Sequence, residues 1–211
     1  MLNEHIASQI YANFAFAPTL GQKKIIEALA SWLSDADTER IFILNGYAGT
    51  GKTSIIAAFV ATLKKLRIKP VMLAPTGRAA KVMARHTGLG ASTIHKKIYR
   101  QKSSADPEPG FSLDFNREKD ACFIVDEASM LSASADAGSP FGSGSLLDDL
   151  FRYVRQGTRC RILFVGDDAQ LPPVGHDRSP ALDPDFMAAY GAVEYGTLDE
   201  VMRQSDDSGI L

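Results

Sequence analysis

The sequence predicts an α/β domain, a parallel sheet with helices on both faces, from three observations. Four short apolar runs, Ile41–Leu44, Pro70–Ala74, Cys122–Val125 and Ile162–Val165, have the near-continuous hydrophobicity of strands buried on both sides. Segments of helical periodicity separate them. The composition, 45 % hydrophobic and 23 % charged over 211 residues, is that of a globular domain large enough to hold its own core. It excludes a disordered tail, a collagen-like rod and a small disulfide scaffold.

The elements follow in order. Residues 1–18 read as an N-terminal extension and 19–211 as the domain. The first strand, Ile41–Leu44, stops at the turn signal Asn45-Gly46. A helix over Thr53–Leu66 places Ile55, Ile56, Phe59, Val60, Leu63 and Leu66 on one stripe. The strand Pro70–Ala74 leads into a helix over Gly77–His86, and a helix from about Leu146 to Arg155 lies between the last two strands. Two segments break this alternation. Gln101–Asp120 is polar and holds Pro107, Pro109 and Gly110, which predicts an insertion or long loop. Ser132–Ser145 is rich in Gly, Ser and Ala and predicts a mobile loop.

Glu4, His5 and Gln9 interrupt the first residues, so no signal-peptide core is present there, and no run approaches the ~20 apolar residues of a membrane span. Cys122 and Cys160 lie in apolar runs with no C-x-x-C spacing, as buried free thiols of a reducing compartment do. A cytoplasmic protein with no membrane partner is expected.

Gly46-Tyr-Ala48-Gly49-Thr50-Gly51-Lys52-Thr53 fits G-x-x-x-x-G-K-[ST] and stands between a strand and a helix, the context that motif requires. Its glycines let backbone N–H groups curl around phosphate oxygens at a helix N-terminus. Lys52 would reach the β- and γ-phosphates and the Thr53 hydroxyl would join a Mg²⁺ shell. The strand ending in Asp126-Glu127 supplies one carboxylate to the metal and a second to polarise the attacking water. Together these motifs specify an NTPase that uses Mg²⁺ for γ-phosphoryl transfer to water. Asp167 and Gln170 follow the next strand, where strand ends of a parallel sheet line the ligand crevice, and Gln170 would orient water or sense the γ-phosphate.

The net charge of −2 conceals a segregation. Eleven basic residues and no acidic one fall between Ala61 and Lys102, which predicts a face built for a polyanion. Lys64, Lys65, Arg67 and Lys69 are discounted, since they end the first helix at the opposite edge of the sheet, where cations complement its dipole. The seven from Arg78 to Lys102 carry the expectation.

The ordered motifs resemble domain 1A of a superfamily 1 DNA helicase, nearest the RecD-like and Dda-like group. GYAGTGKT resembles motif I, APTGRAA (Ala74–Ala80) motif Ia, STIH (Ser92–His95) motif Ib and VDEASM (Val125–Met130) motif II. GDDAQLPPVG (Gly166–Gly175) resembles motif III and LDEVMRQ (Leu198–Gln204) the start of motif IV. The resemblance implies a RecA-like P-loop NTPase fold and an ATP-dependent helicase that moves 5′ to 3′ on single-stranded DNA. It assigns Lys52, Asp126, Glu127, Gln170 and Arg203 to catalysis, and Thr53 and Asp126 to Mg²⁺. Gln22 would read adenine, beside the loop residues Gly46, Ala48, Gly49, Thr50 and Gly51. Pro75, Thr76, Arg78, Thr93 and His95 would hold the DNA backbone.

Two departures qualify it. Tyr47 stands where the family has a small residue or proline. Nothing after Leu198–Gln204 resembles a second RecA-like domain, so the chain reads as the first motor half of a longer helicase whose second half is the implied partner. The alternatives are a non-motor nucleotide-binding regulatory module, or another P-loop ATPase, which motifs Ia and III disfavour.

Overall fold

A computed structural model describes residues 1–14, 17–102, 110–134, 139–173 and 175–200. Six strands form one wholly parallel sheet: β1 (Ile41–Gly46), β2 (Lys69–Ala74), β3 (Ala91–Thr93), β6 (Ala121–Val125), β7 (Arg161–Gly166) and β8 (Val193–Leu198), in the order β3-β2-β6-β7-β1-β8. The four strands read from apolar runs are β1, β2, β6 and β7, at the centre of the sheet. The short β3 and the half-exposed β8 are its edges.

Along β1 the side chains alternate between two cores. Phe42 and Leu44 join Trp32, Phe59 and Leu163 on one face, while Ile41 and Ile43 join Phe123, Leu150 and Phe164 on the other. The first face is covered by α1 (Leu2–Ala12), α2 (Leu20–Ser34), α3 (Lys52–Lys65) and α4 (Gly77–Thr87), the second by α5 (Ile94–Ile98) and α6 (Leu146–Gln156). The residues read as an extension hold α1, whose Ile6 and Ile10 are buried in the first core. A short α7 (Pro184–Met187) precedes β8.

Thr19 and Gln22 form a reciprocal capping box at the start of α2. Its far end is held by the buried Arg161, whose guanidinium donates to the carbonyls of Trp32 (3.1 Å), Asp37 (2.9 Å) and Asp35 and lies over the Trp32 ring. Cys122 and Cys160 are free and buried, as read.

The segment read as a long loop over 101–120 differs. Within it β5 (Phe111–Leu113) pairs antiparallel with β4 (Tyr99–Gln101), because Phe111 stacks on Phe141 at 4.6 Å and gives the hairpin an apolar anchor. The part of the 132–145 segment from Phe141 to Ser145 docks on this hairpin and on α6: Gly142 N–H donates to the Phe111 carbonyl (3.0 Å) and Ser143 N–H to the Asp149 carboxylate (2.8 Å). Residues 103–109 and 135–138 lie outside the described residues. Among the described residues, no helix is long and apolar enough to cross a membrane.

Candidate nucleotide and nucleic-acid site

Three adjacent strands end at the same edge of the sheet, β6 two register positions before β7. β6 ends before Asp126, β7 before Asp167 and β1 in Gly46, with Val125 opposite Phe164 and Asn45 opposite Gly166. This edge collects the loops expected to carry the chemistry.

After β1 the chain turns tightly. Gly49 (φ 79°) and Gly51 (φ 89°) take left-handed conformations that only glycine adopts cheaply, and Gly51 caps α3. Gly46 is small for another reason, since a Cβ there would lie 2.9 Å from both the Leu198 Cβ and its carbonyl oxygen. The Thr50 hydroxyl donates to the Tyr47 carbonyl (2.8 Å) and closes the loop. The Lys52 ammonium donates to the carbonyls of Gly46 and Tyr47, the latter at 2.9 Å. Burial pulls the Lys52 amine below its ordinary pKa, while Asp167, Asp126, Glu127 and Asp168 oppose that shift. The charge of Lys52 is therefore felt by all four of these carboxylates.

Asp126 extends the ladder past β6, its N–H donating to the Leu73 carbonyl at 2.9 Å. Burial pushes its carboxyl above the ordinary range, against the Glu127 N–H that donates to it at 3.0 Å. Glu127 is a non-glycine residue at φ 55°, a conformation that costs about 1–3 kcal/mol and concentrates at functional sites. In the turn after β7, Asp167 is 6 % exposed and accepts from Ala169 N–H (3.0 Å), and Gln170 N–H donates to the Asp167 carbonyl (3.2 Å). The Ser129 hydroxyl donates to Gln170 Oε1 (3.3 Å), which joins the two carboxylate loops.

Lys52, Asp126, Glu127, Asp167 and Gln170 thus share one edge, with Thr53 exposed at the first turn of α3. Gln22 is 1 % exposed and donates to the Thr50 carbonyl (3.2 Å), so the residue expected to read adenine buttresses the loop. Thr76 and Thr93 cap α4 and α5, accepting from Ala79 N–H and Lys96 N–H at 3.2 Å, at the ends of the paired strands β2 and β3. Each hydroxyl keeps its own proton to donate. Pro75 is half-buried and Arg78 exposed. His95 packs edge-on to Phe141 at 4.9 Å, and burial lowers its pKa. Arg203 lies outside the described residues.

Of the seven cations from Arg78 to Lys102, Lys97 pairs with Glu118 at 2.8 Å, while Arg78, Lys81 and Arg85 stand exposed at helical spacing on α4. Asn45, read as part of a turn signal, instead lies inside β1, and neither it nor Ser129 nor Tyr195 was expected to take part in the site.

The fold and this edge define a P-loop nucleotide-binding domain of the α/β class. Residues 19–210 match the family described as AAA domain, and the chain belongs to it. It is 31 % identical over 163 residues to the ATP-dependent RecD2 DNA helicase of Deinococcus radiodurans, covering 74 % of this chain and 19 % of that protein. It is 30 % identical over 202 residues to the RecD subunit of the RecBCD enzyme of Mycolicibacterium smegmatis, covering 82 % of this chain and 32 % of that subunit. These relatives and the ordered motifs put it in the RecD-like group of superfamily 1 helicase motor domains. The chain spans a fifth to a third of the length of these curated relatives. In fold it is similar to the Pif1 helicase from Bacteroides in complex with ADP-AlF3 and ssDNA (TM-score 0.52, 20 % identity, 91 % of this chain and 44 % of that one). The Pif1 helicase from Candida albicans is similar too (TM-score 0.54, 19 % identity, 91 % of this chain and 42 % of that one).

Proposed function

We propose that this chain is the ATP-binding motor domain of an ATP-dependent DNA helicase that acts in the cytoplasm and moves 5′ to 3′ on single-stranded DNA together with a second RecA-like domain. In this reading residues 19–211 are the motor unit and 1–18 precede it. The observation that carries it is the Lys52 ammonium bonded to the carbonyls of a glycine-turned loop, at the sheet edge where the strands leading into Asp126-Glu127 and Asp167-Asp168 end and within electrostatic reach of those carboxylates.

The loop N–H groups and Lys52 would hold the phosphates, with Gln22 beside the base. Mg²⁺ fits the donor set, one exposed hydroxyl at Thr53 and one carboxylate at Asp126, because this ion keeps few protein ligands and shares phosphate oxygens. When bound it neutralises charge on the transferring phosphoryl group. Glu127 would accept the proton of the attacking water, Gln170 would align that water, and Arg203 would contact the γ-phosphate. Pro75, Thr76, Arg78, Thr93 and His95 would hold the DNA backbone, and Lys81 and Arg85 would extend the positive face.

Binding of a fluorescent ATP analogue with and without Mg²⁺, and ATP turnover with and without single-stranded DNA, test this reading. Mg²⁺-dependent binding with slow turnover is expected. Failure to bind nucleotide overturns the reading, and strong DNA-stimulated turnover by this chain alone overturns the need for a second domain.

A further inference from the structure

Asn45 stands in β1 directly before the first glycine of the phosphate loop and is only 3 % exposed. Ile41 and Ile43, two positions apart on the same side of the strand, belong to the second apolar core. Packing alone therefore calls for an apolar residue at 45, and burying an amide there is unfavourable unless both of its ends are bonded. Both are. Its Oδ1 accepts from the Asp168 N–H at 3.1 Å, and its Nδ2 donates to the Tyr195 phenolic oxygen at 2.9 Å. One side chain thus ties the root of the phosphate loop to the turn after β7 and to β8.

The Asp168 N–H belongs to the turn that carries Gln170, closed by the Gln170 N–H to the Asp167 carbonyl at 3.2 Å. Holding Asp168 fixes how far that turn stands from Gly46. On its other side Gly46 has no room to shift, because Leu198 of β8 fills the space where a Cβ would lie. The β1–β7 ladder brings Asn45 opposite Gly166, and beyond its end the Asn45 side chain, oriented by Tyr195, holds the turn that carries Gln170 against the root of the phosphate loop.

We infer that Asn45 is a positioning residue that holds the Gln170 turn at the reach of a terminal phosphate, so that the site distinguishes a nucleoside triphosphate from a diphosphate. This rests on the reading of residues 46–53 as a nucleotide site and of Gln170 as the group facing its γ-phosphate.

The test is the ratio of affinities for a non-hydrolysable ATP analogue and for ADP, both with Mg²⁺, measured by calorimetry on this chain. The wild type binds the triphosphate more tightly. Asn45→Leu lowers that preference about fivefold, the scale of one hydrogen bond, and leaves ADP affinity within about twofold. Gln170→Ala does the same, and the double variant loses nothing further, as expected of two residues acting as one unit. Tyr195→Phe removes one hydroxyl from a side chain that is 41 % exposed, keeps the fold, and shifts the ratio about twofold in the same direction. Additive losses in the double variant, equal losses for both nucleotides, an unchanged ratio in Tyr195→Phe, or a wild type without preference each overturn the inference. A wild type that binds neither nucleotide overturns the nucleotide-site reading itself and is told apart by the ADP titration.

Discussion

The Lys52 ammonium donates a 2.9 Å hydrogen bond to the Tyr47 carbonyl oxygen, so the loop that presents this charge also holds it in place. An arriving phosphate must displace two carbonyls, and it gains a charge-assisted bond in a site of low dielectric. Lys52→Ala removes a cation whose field reaches Asp126, Glu127, Asp167 and Asp168, and bound phosphates then meet more negative charge. Affinity for Mg·ATP is expected to fall at least about tenfold by fluorescence titration, with the melting temperature little changed. Unchanged affinity would show that the ammonium serves the loop and not a ligand.

How much of this was legible follows from the physics of each element. β1, β2, β6 and β7 are buried on both faces, so they read as apolar runs, and the glycine loop after β1 needs its residue types regardless of context. β8 was not legible. It is an edge strand whose Val193, Glu194 and Tyr195 are partly exposed or exposed, and neither its composition nor its alternation separates it from a loop. The β4–β5 hairpin depends on the pairing of Phe111 with Phe141, thirty positions away. At the site, the identities of Lys52, Asp126 and Gln170 came from local patterns, but the bonds from Asn45 to Asp168 and Tyr195 join residues brought together by strand order. Thr19 and Gln22 have the spacing of a capping box, which the structure forms, whereas the base-reading role was expected of Gln22 alone.

Burial gives Asp126 a cost to the fold. Burial holds its carboxyl above the ordinary range, so at neutral pH the ionised group destabilises the fold, and the cost is relieved as pH falls through the raised folded pKa. Asp126→Asn keeps an oxygen for the Glu127 N–H and removes the charge. It is expected to raise the melting temperature at pH 7 and to weaken Mg·nucleotide binding. The gain in stability should shrink toward zero in acid, where the wild-type carboxyl is protonated too. Thermal melts across pH check this, and a variant less stable at pH 7 would contradict the assignment of burial as the dominant effect.

Arg78, Lys81 and Arg85 form one exposed face of α4, whereas Lys69 and Lys97 are spent on Glu118 at 2.7 and 2.8 Å. Charge-neutral substitution of the three exposed residues should weaken binding of single-stranded DNA and flatten its salt dependence by a slope of about 2, from ~0.7 released ions per phosphate contact. Substituting Lys69 and Lys97 should leave that slope unchanged. Fluorescence anisotropy at several salt concentrations separates the two sets, and equal effects would mean that the basic segment acts only through overall charge.

Gly142 tests the docking of the segment before α6. Its φ is +48°, and a Cβ would lie 1.9 Å from Asp149 Oδ2 and 2.7 Å from Tyr99 Cε1. Asp149 is 1 % exposed and accepts hydrogen bonds from the Tyr99 hydroxyl and the Ser143 N–H, both at 2.8 Å. Gly142→Ala must therefore drive a buried carboxylate off its donors in addition to the left-handed strain. Gly88 offers the comparison: its φ is +66° and nothing lies within 4 Å of its Cβ position, so Gly88→Ala carries the backbone strain alone, about 1 kcal/mol. Gly142→Ala is expected to cost about 2–4 kcal/mol in urea unfolding. The difference should shrink in an Asp149→Ala background, where the clash with Oδ2 and the displaced bonds are gone and only the contact with Tyr99 Cε1 remains. Equal costs at the two glycines would mean that the segment yields without disturbing Asp149, and that its contact with the hairpin contributes little to the fold.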